Sequence, residues 1–123
     1  TIYRTLSEKD KRYLIDLGLS LNRQAGIFYI KNELESAKVL YDESSLIFKK
    51  LAEESEICKQ HLADTLSALG GIYLELNKID DSIAHLNNAI GIYKKLIETN
   101  PEVYSNYSTT IKSLESAIMK RGF

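Results

Sequence analysis

Apolar residues recur at every third or fourth position through Leu14, Leu17, Leu21, Ala25 and Phe28, and again through Leu62, Leu66, Leu69 and Tyr73. That spacing gathers them on one stripe of a helix, and the strict alternation of a half-buried strand is absent. The punctuation between the stripes sets the boundaries. Ser7, with Glu8 and Asp10 behind it, has the form of an N-terminal cap with acids in the first turn, so a first helix is expected from about residue 8 to about residue 31. Asn32 ends it and Asn77 ends a later helix, because Asn tolerates the left-handed backbone that closes many helices. A second helix is expected from Leu34 to about Ser55, a third from Ile57 to Leu76 and a fourth from Asp80 to Thr99. Asn100-Pro101-Glu102 combines a capping side chain, a proline at the first helical position and an acid, which starts a fifth helix.

Residues 18–53 laid over residues 63–98, a shift of 45 positions, bring related residues into register. Leu21 falls on Leu66, Gly26-Ile27-Phe28 on Gly71-Ile72-Tyr73, Asn32 on Asn77, and Ile47-Phe48-Lys49-Lys50-Leu51 on Ile92-Tyr93-Lys94-Lys95-Leu96. The same shift again puts Leu66, Leu69 and Tyr73 on Ile111, Leu114 and Ile118. The chain therefore reads as all-α: one helix pair over about 8–55, a second over about 57–99, and half of a third over about 101–121. A period of this size implies stacked units, each burying the face its neighbour exposes.

The second unit resembles the tetratricopeptide repeat, through Leu66, Leu69-Gly70 and Tyr73 on its first helix and Leu86 and Ala89 on its second. Gly70 and its counterpart Ala25 fall where that family keeps a small residue, since helices about 8–10 Å apart leave no room for bulk at the crossing. The resemblance covers nearly the whole chain and implies an α-solenoid of antiparallel helix pairs, a right-handed superhelix treated as one domain over residues 1–123. Its departures are a period longer than the usual length of about 34 residues, Gln24 in place of Leu, Ser82 in place of Ala, and Glu115 where the third unit needs a small residue. Glu115 marks either a polar capping helix or a point where the sequence was cut.

The chain has 123 residues, 44% of them hydrophobic and 27% charged, enough for one folded unit with a core. Sixteen basic against seventeen acidic side chains leave a net charge of −1, with no positive field to draw in nucleic acid. No apolar run reaches the length of a membrane span, so a membrane is not expected as a partner. A single Cys58 fits a reducing compartment, and the cytoplasm is the expected location. A start at Thr1 and a stop in an apolar stretch at Phe123 are expected of a segment from a longer protein.

Candidate chemistry is sparse. Cys58 and His61 lie three apart and could meet His85, but zinc needs three or four converging ligands, and a half-buried thiol with two surface or interface histidines is the simpler reading. Gly70-Gly71 lacks the strand, loop and lysine of a phosphate cradle. The pairs Glu53-Glu54 and Asp80-Asp81 sit near helix ends rather than in a cleft suited to acid–base work. Lys49-Lys50 and Lys94-Lys95 repeat with the period as a candidate outer basic stripe, with Glu53 and Glu98 as nearby compensation. Asn106-Tyr107-Ser108 matches a glycosylation acceptor by accident of a helical setting. The eight tyrosines suit an interface, although Tyr73 and Tyr93 occupy core positions. No enzyme, cofactor or metal is expected.

In the tetratricopeptide family the first helices of successive repeats line a concave groove. The resemblance maps that lining onto Asn22, Gly26, Tyr29 and Ile30, then Ser67, Gly71, Leu74 and Glu75, then Lys112, Ser116 and Met119. Asn22 with Gly26, and Ser67 with Gly71, replace the carboxylate clamp of chaperone-binding members. The implied role is a scaffold or regulatory module whose groove holds a protein or peptide segment with two or three apolar anchors. The alternative is a structural segment that self-associates through its uncapped ends, or packs on flanking domains of a signalling enzyme.

Overall fold

A computed structural model of the chain describes residues 7–122; residues 1–6 and 123, the ends of the expected domain, lie outside the described residues. The described chain forms α1 (Glu8–Ile30), α2 (Leu34–Ala52), α3 (Glu56–Glu75), α4 (Ile79–Ile97) and α5 (Tyr104–Arg121), with no strand among the described residues. None of these helices is long and apolar enough to cross a membrane.

Local chemistry accounts for the boundaries. Ser7 Oγ accepts the Asp10 backbone N–H at 3.1 Å and opens α1, as its position implies. Ser55 does the same for Cys58 at 3.3 Å, so it starts α3, and α2 stops at Ala52 rather than reaching Ser55. Asn32 and Asn77 adopt φ of 62° and 63°. Beside them Glu33 N–H reaches Phe28 O and Lys78 N–H reaches Tyr73 O, both at 2.8 Å, while the Asn N–H groups bond Tyr29 O and Leu74 O. Two orphan carbonyls at the end of each helix are thereby satisfied, which lets α1 and α3 end sharply and the next helix begin two residues later. Asn100 Oδ1 caps Glu102 N–H at 3.3 Å, but the expected α-helical start at Pro101 is a 3-10 turn over Pro101–Val103. The Val103 N–H bonds Asn100 O at 3.2 Å, the tighter spacing of that turn, and Val103 is buried against Ala63, Ala89, Tyr93 and Leu96.

Each helix packs on the next one along the chain, and α3 also touches α5. Phe48, Leu51 and Cys58 form one buried cluster with Leu14, Ile15, Leu19, Ile47 and Leu62 against it. Ala63, Ala89, Tyr93, Leu96 and Val103 form the second, with Leu66, Ile92, Ile97 and Tyr107. The members 48, 51 and 58 of the first correspond to 93, 96 and 103 of the second, so the 45-residue shift read from the sequence also relates the two cores.

Two crossings fix how closely each helix pair approaches. A Cβ on Gly18 would lie 2.7 Å from the Phe48 ring, and one on Gly70 would lie 2.5 Å from Leu86. Beside each glycine a buried serine reaches its carbonyl: Ser44 Oγ donates to Gly18 O at 3.1 Å, and Ser82 Oγ to Gly70 O at 2.6 Å. The shift maps Gly18 and Ser44 onto Ala63 and Ala89, and maps Gly70 and Ser82 onto Ala25 and Ala37, all four alanines being fully buried. A glycine–serine pair in one hairpin thus stands for an alanine–alanine pair in the other. The missing methyl lets the hydroxyl approach, and the hydrogen bond keeps the buried oxygen satisfied. That explains Ser82, the residue that departs from the alanine expected there.

Candidate interaction surfaces

Positions one period apart make the same bonds between helices. Asn22 Nδ2 on α1 donates to Thr65 Oγ1 on α3 at 3.0 Å, and Ser67 on α3 meets Thr110 Oγ1 on α5 at 2.8 Å. Each threonine gives its proton to the carbonyl four residues back, Thr65 to His61 O and Thr110 to Asn106 O, both at 2.8 Å. A hydroxyl carries one proton, so Thr110 accepts and Ser67 donates, just as Asn22 donates to Thr65. These links hold α1 beside α3 and α3 beside α5.

The residues expected to line a groove fall on these three helices with different environments. Asn22 and Ser67 are spent on the inter-helix links rather than left open to a ligand. Gly71 faces open space, and a Cβ on Gly26 would meet only Tyr41 Oη, at 3.8 Å. Tyr29 and Ile30 are exposed at the end of α1 and Leu74 is half-buried on α3. Hydrogen bonding to the Glu75 carboxylate, and then burial, pushes the Tyr29 phenol pKa up, so the structure does bring Tyr29 and Glu75 together across α1 and α3. Lys112, Ser116 and Met119 are exposed on α5, away from that pair in the chain of contacts.

Between α3 and α5 a cleft of about 320 Å³ is lined by Asp64, Ser67, Ala68, Tyr93, Asn106, Thr109 and Thr110. At its base Asp64 Oδ1 accepts from Tyr93 Oη and, at 2.9 Å, from Asn106 Nδ2. Burial, and then the bond to Asp64, pushes the Tyr93 phenol far above its ordinary pKa. One period earlier the same three positions hold Leu19, Phe48 and His61, where the Phe48 and His61 rings meet with centroids 5.1 Å apart. The three differences belong together: Phe48 has no hydroxyl to satisfy, and Leu19 supplies no carboxylate. The sequence held a signal for this network, since Asp64 falls in register with an apolar residue. Asn106, which matches a glycosylation acceptor, is half-buried with its amide on Asp64.

The other candidate groups are dispersed. Cys58 is fully buried, His61 lies on Phe48, and His85 lies on Tyr73 at 4.9 Å between centroids with Nδ1 at 2.8 Å from Asp81 O. No group of three or more His, Cys, Asp or Glu among the described residues is placed to hold a metal. Glu53 caps the end of α2, and Asp80 and Asp81 lie in the first turn of α4. Lys49, Lys50, Lys94 and Lys95 take part in none of the ion pairs among the described residues, so the compensation expected from Glu53 and Glu98 is not made by contact.

No family model matches the chain, and neither a curated protein nor a solved structure matches it.

Proposed function

We infer that the chain is a tetratricopeptide-type solenoid segment, acting in the cytoplasm, that holds a protein or peptide segment on the face shared by α1, α3 and α5 and carries out no reaction itself. The observation that carries this reading is the recurrence of one link, Asn22 to Thr65 and Ser67 to Thr110, which sets the three helices side by side at matching heights. On that face Tyr29, Ile30 and Leu74 offer apolar contact beside the Glu75 carboxylate, and Gly71 leaves the backbone open to close approach. A displayed peptide library panned on the protein tests it. Peptides enriched on the wild type are expected to bind Leu74→Glu at least about tenfold more weakly, with the helical circular dichroism unchanged. Equal binding to the variant would remove this face from the reading.

One observation favours self-association or packing on a neighbouring domain as a second reading. The face of α3 that packs on α2 includes Cys58, Leu69 and Ile72, whereas its counterparts on α1, Tyr13, Gln24 and Ile27, are exposed: Ile72 is 1% accessible and Ile27 54%. A concentration-dependent dimer by light scattering, abolished by Ile27→Glu, is the outcome that supports it; a monomer throughout rejects self-association.

A further inference from the structure

A second groove runs along a different face of the fold, between α2 and α4 with α3 as its floor. Ser45, Leu46 and Lys49 of α2 and His85, Asn88 and Ile92 of α4 wall a cleft of about 480 Å³ over Leu62 and Leu66. A neighbouring cleft of about 390 Å³ continues it past Ala52, Lys59, Lys95, Leu96 and Thr99. Both clefts share Leu62 and Ile92, so they form one channel. From His85 to Thr99 along α4, at 1.5 Å per residue, it is about 20 Å long, or roughly four helical turns. Residues 62 and 66 lie roughly 100° or more around α3 from Ser67, Gly71 and Leu74, so this groove is distinct from the α1–α3–α5 face and does not rest on the reading proposed for it.

Its chemistry is specific. The floor is aliphatic, and Leu46 stands 69% exposed on one wall. Lys59 is held by Glu56 at 3.2 Å. Lys49 on one wall and Lys95 on the other are exposed and enter no ion pair among the described residues. Because the period places residue 49 level with residue 94, these two ammonium groups stand at nearly the same height on opposite sides of the Leu62–Ile92 floor.

We propose that the α2–α4 groove docks an amphipathic helix of a partner protein, about four turns long, whose apolar stripe lies on Leu62, Leu66 and Ile92 and whose acidic flanks face Lys49 and Lys95. A helix presents an apolar stripe with polar residues on both sides, which matches an apolar floor between two cationic walls. An extended strand alternates its side chains between opposite faces and cannot put acids on both flanks of one apolar row.

Two fluorescein-labelled peptides of about 15 residues test this, each with leucines at helical spacing and the flanks filled with Glu in one and Lys in the other. The Glu peptide is expected to bind wild-type protein saturably by anisotropy, more weakly as salt is raised, and to shift the amide resonances of Leu46, Leu62 and Ile92. The double change Lys49→Glu with Lys95→Glu should weaken the Glu peptide by about tenfold or more and favour the Lys peptide instead. No saturation by about 1 mM, or equal affinity of the wild type for the two peptides, overturns the proposal, and neither result depends on a variant folding. Shifts confined to Gly26, Gly71 and Leu74 overturn it too, while supporting the α1–α3–α5 face as the site. Loss of that face on Leu74→Glu leaves the groove result unaffected.

Discussion

The Asp64–Tyr93–Asn106 network makes a quantitative prediction because the first hairpin already displays its apolar counterpart. Tyr93→Phe removes one hydrogen bond to a carboxylate that keeps Asn106 at 2.9 Å and sits in an open cleft, so the cost is about 1–2 kcal/mol, at the lower end for charged acceptors. Asp64→Leu takes the acceptor from both the buried phenol and the Asn106 amide, at about 2–4 kcal/mol. If the two effects were independent, the double variant would lose roughly 3–6 kcal/mol. When Asp64→Leu and Tyr93→Phe are combined, no phenol is left stranded, and the pair reproduces the Leu19–Phe48 arrangement. The expected loss for the double variant is therefore only about 1–2 kcal/mol, a coupling of about 2 kcal/mol or more. Urea unfolding of the four proteins by circular dichroism, with a common m value, measures the cycle. Additivity within about 0.5 kcal/mol would refute the network as a coupled unit.

Gly70 and Gly71 are adjacent in sequence and opposite in expectation. Gly70→Ala should cost about 1–3 kcal/mol through its clash with Leu86, while Gly71→Ala, with open space before it, should be neutral or raise stability by up to about 1 kcal/mol, as thermal melts would show. Alkaline pH gives a further check. The Tyr93 phenol titrates higher in the folded than in the unfolded chain, where its reference value is 10.0, so its contribution is fully present below pH 10 and is lost as pH rises above it. Tyr93→Phe should flatten the loss of stability above that pH in urea titrations, relative to wild type; an unchanged slope would contradict the buried phenol.

Much of the helical frame is legible in the sequence because its determinants are local. Ser7 as a cap, Asn32 and Asn77 as left-handed closures, and the small residues Ala25 and Gly70 at the crossing all follow from residue type and spacing. Two boundaries differ from the pattern for reasons equally local: the Ser55 hydroxyl starts α3 instead of ending α2, and the turn after Asn100 is a 3-10 turn. Asn22 and Ser67 differ for a reason that is not local. A side chain on the inner face of one helix can be claimed by its neighbour, and residue type alone does not reveal that Thr65 and Thr110 lie within reach.

The sequence by itself determined five helices, their period of 45 residues and the apolar stripe of each, since these depend on interactions within a few turns of chain. Tertiary structure alone decided which polar residues pair across helices: Asp64 with Tyr93 and Asn106, Ser44 with Gly18 and Ser82 with Gly70. It also decided that the two lysine pairs of the repeat turn one member each, Lys49 and Lys95, toward a shared groove. The physical reason is that a periodic pattern fixes which side of a helix is apolar. The rotation and approach of neighbouring helices, set by contacts such as Gly18 on Phe48 and Gly70 on Leu86, fix which side chains meet across it.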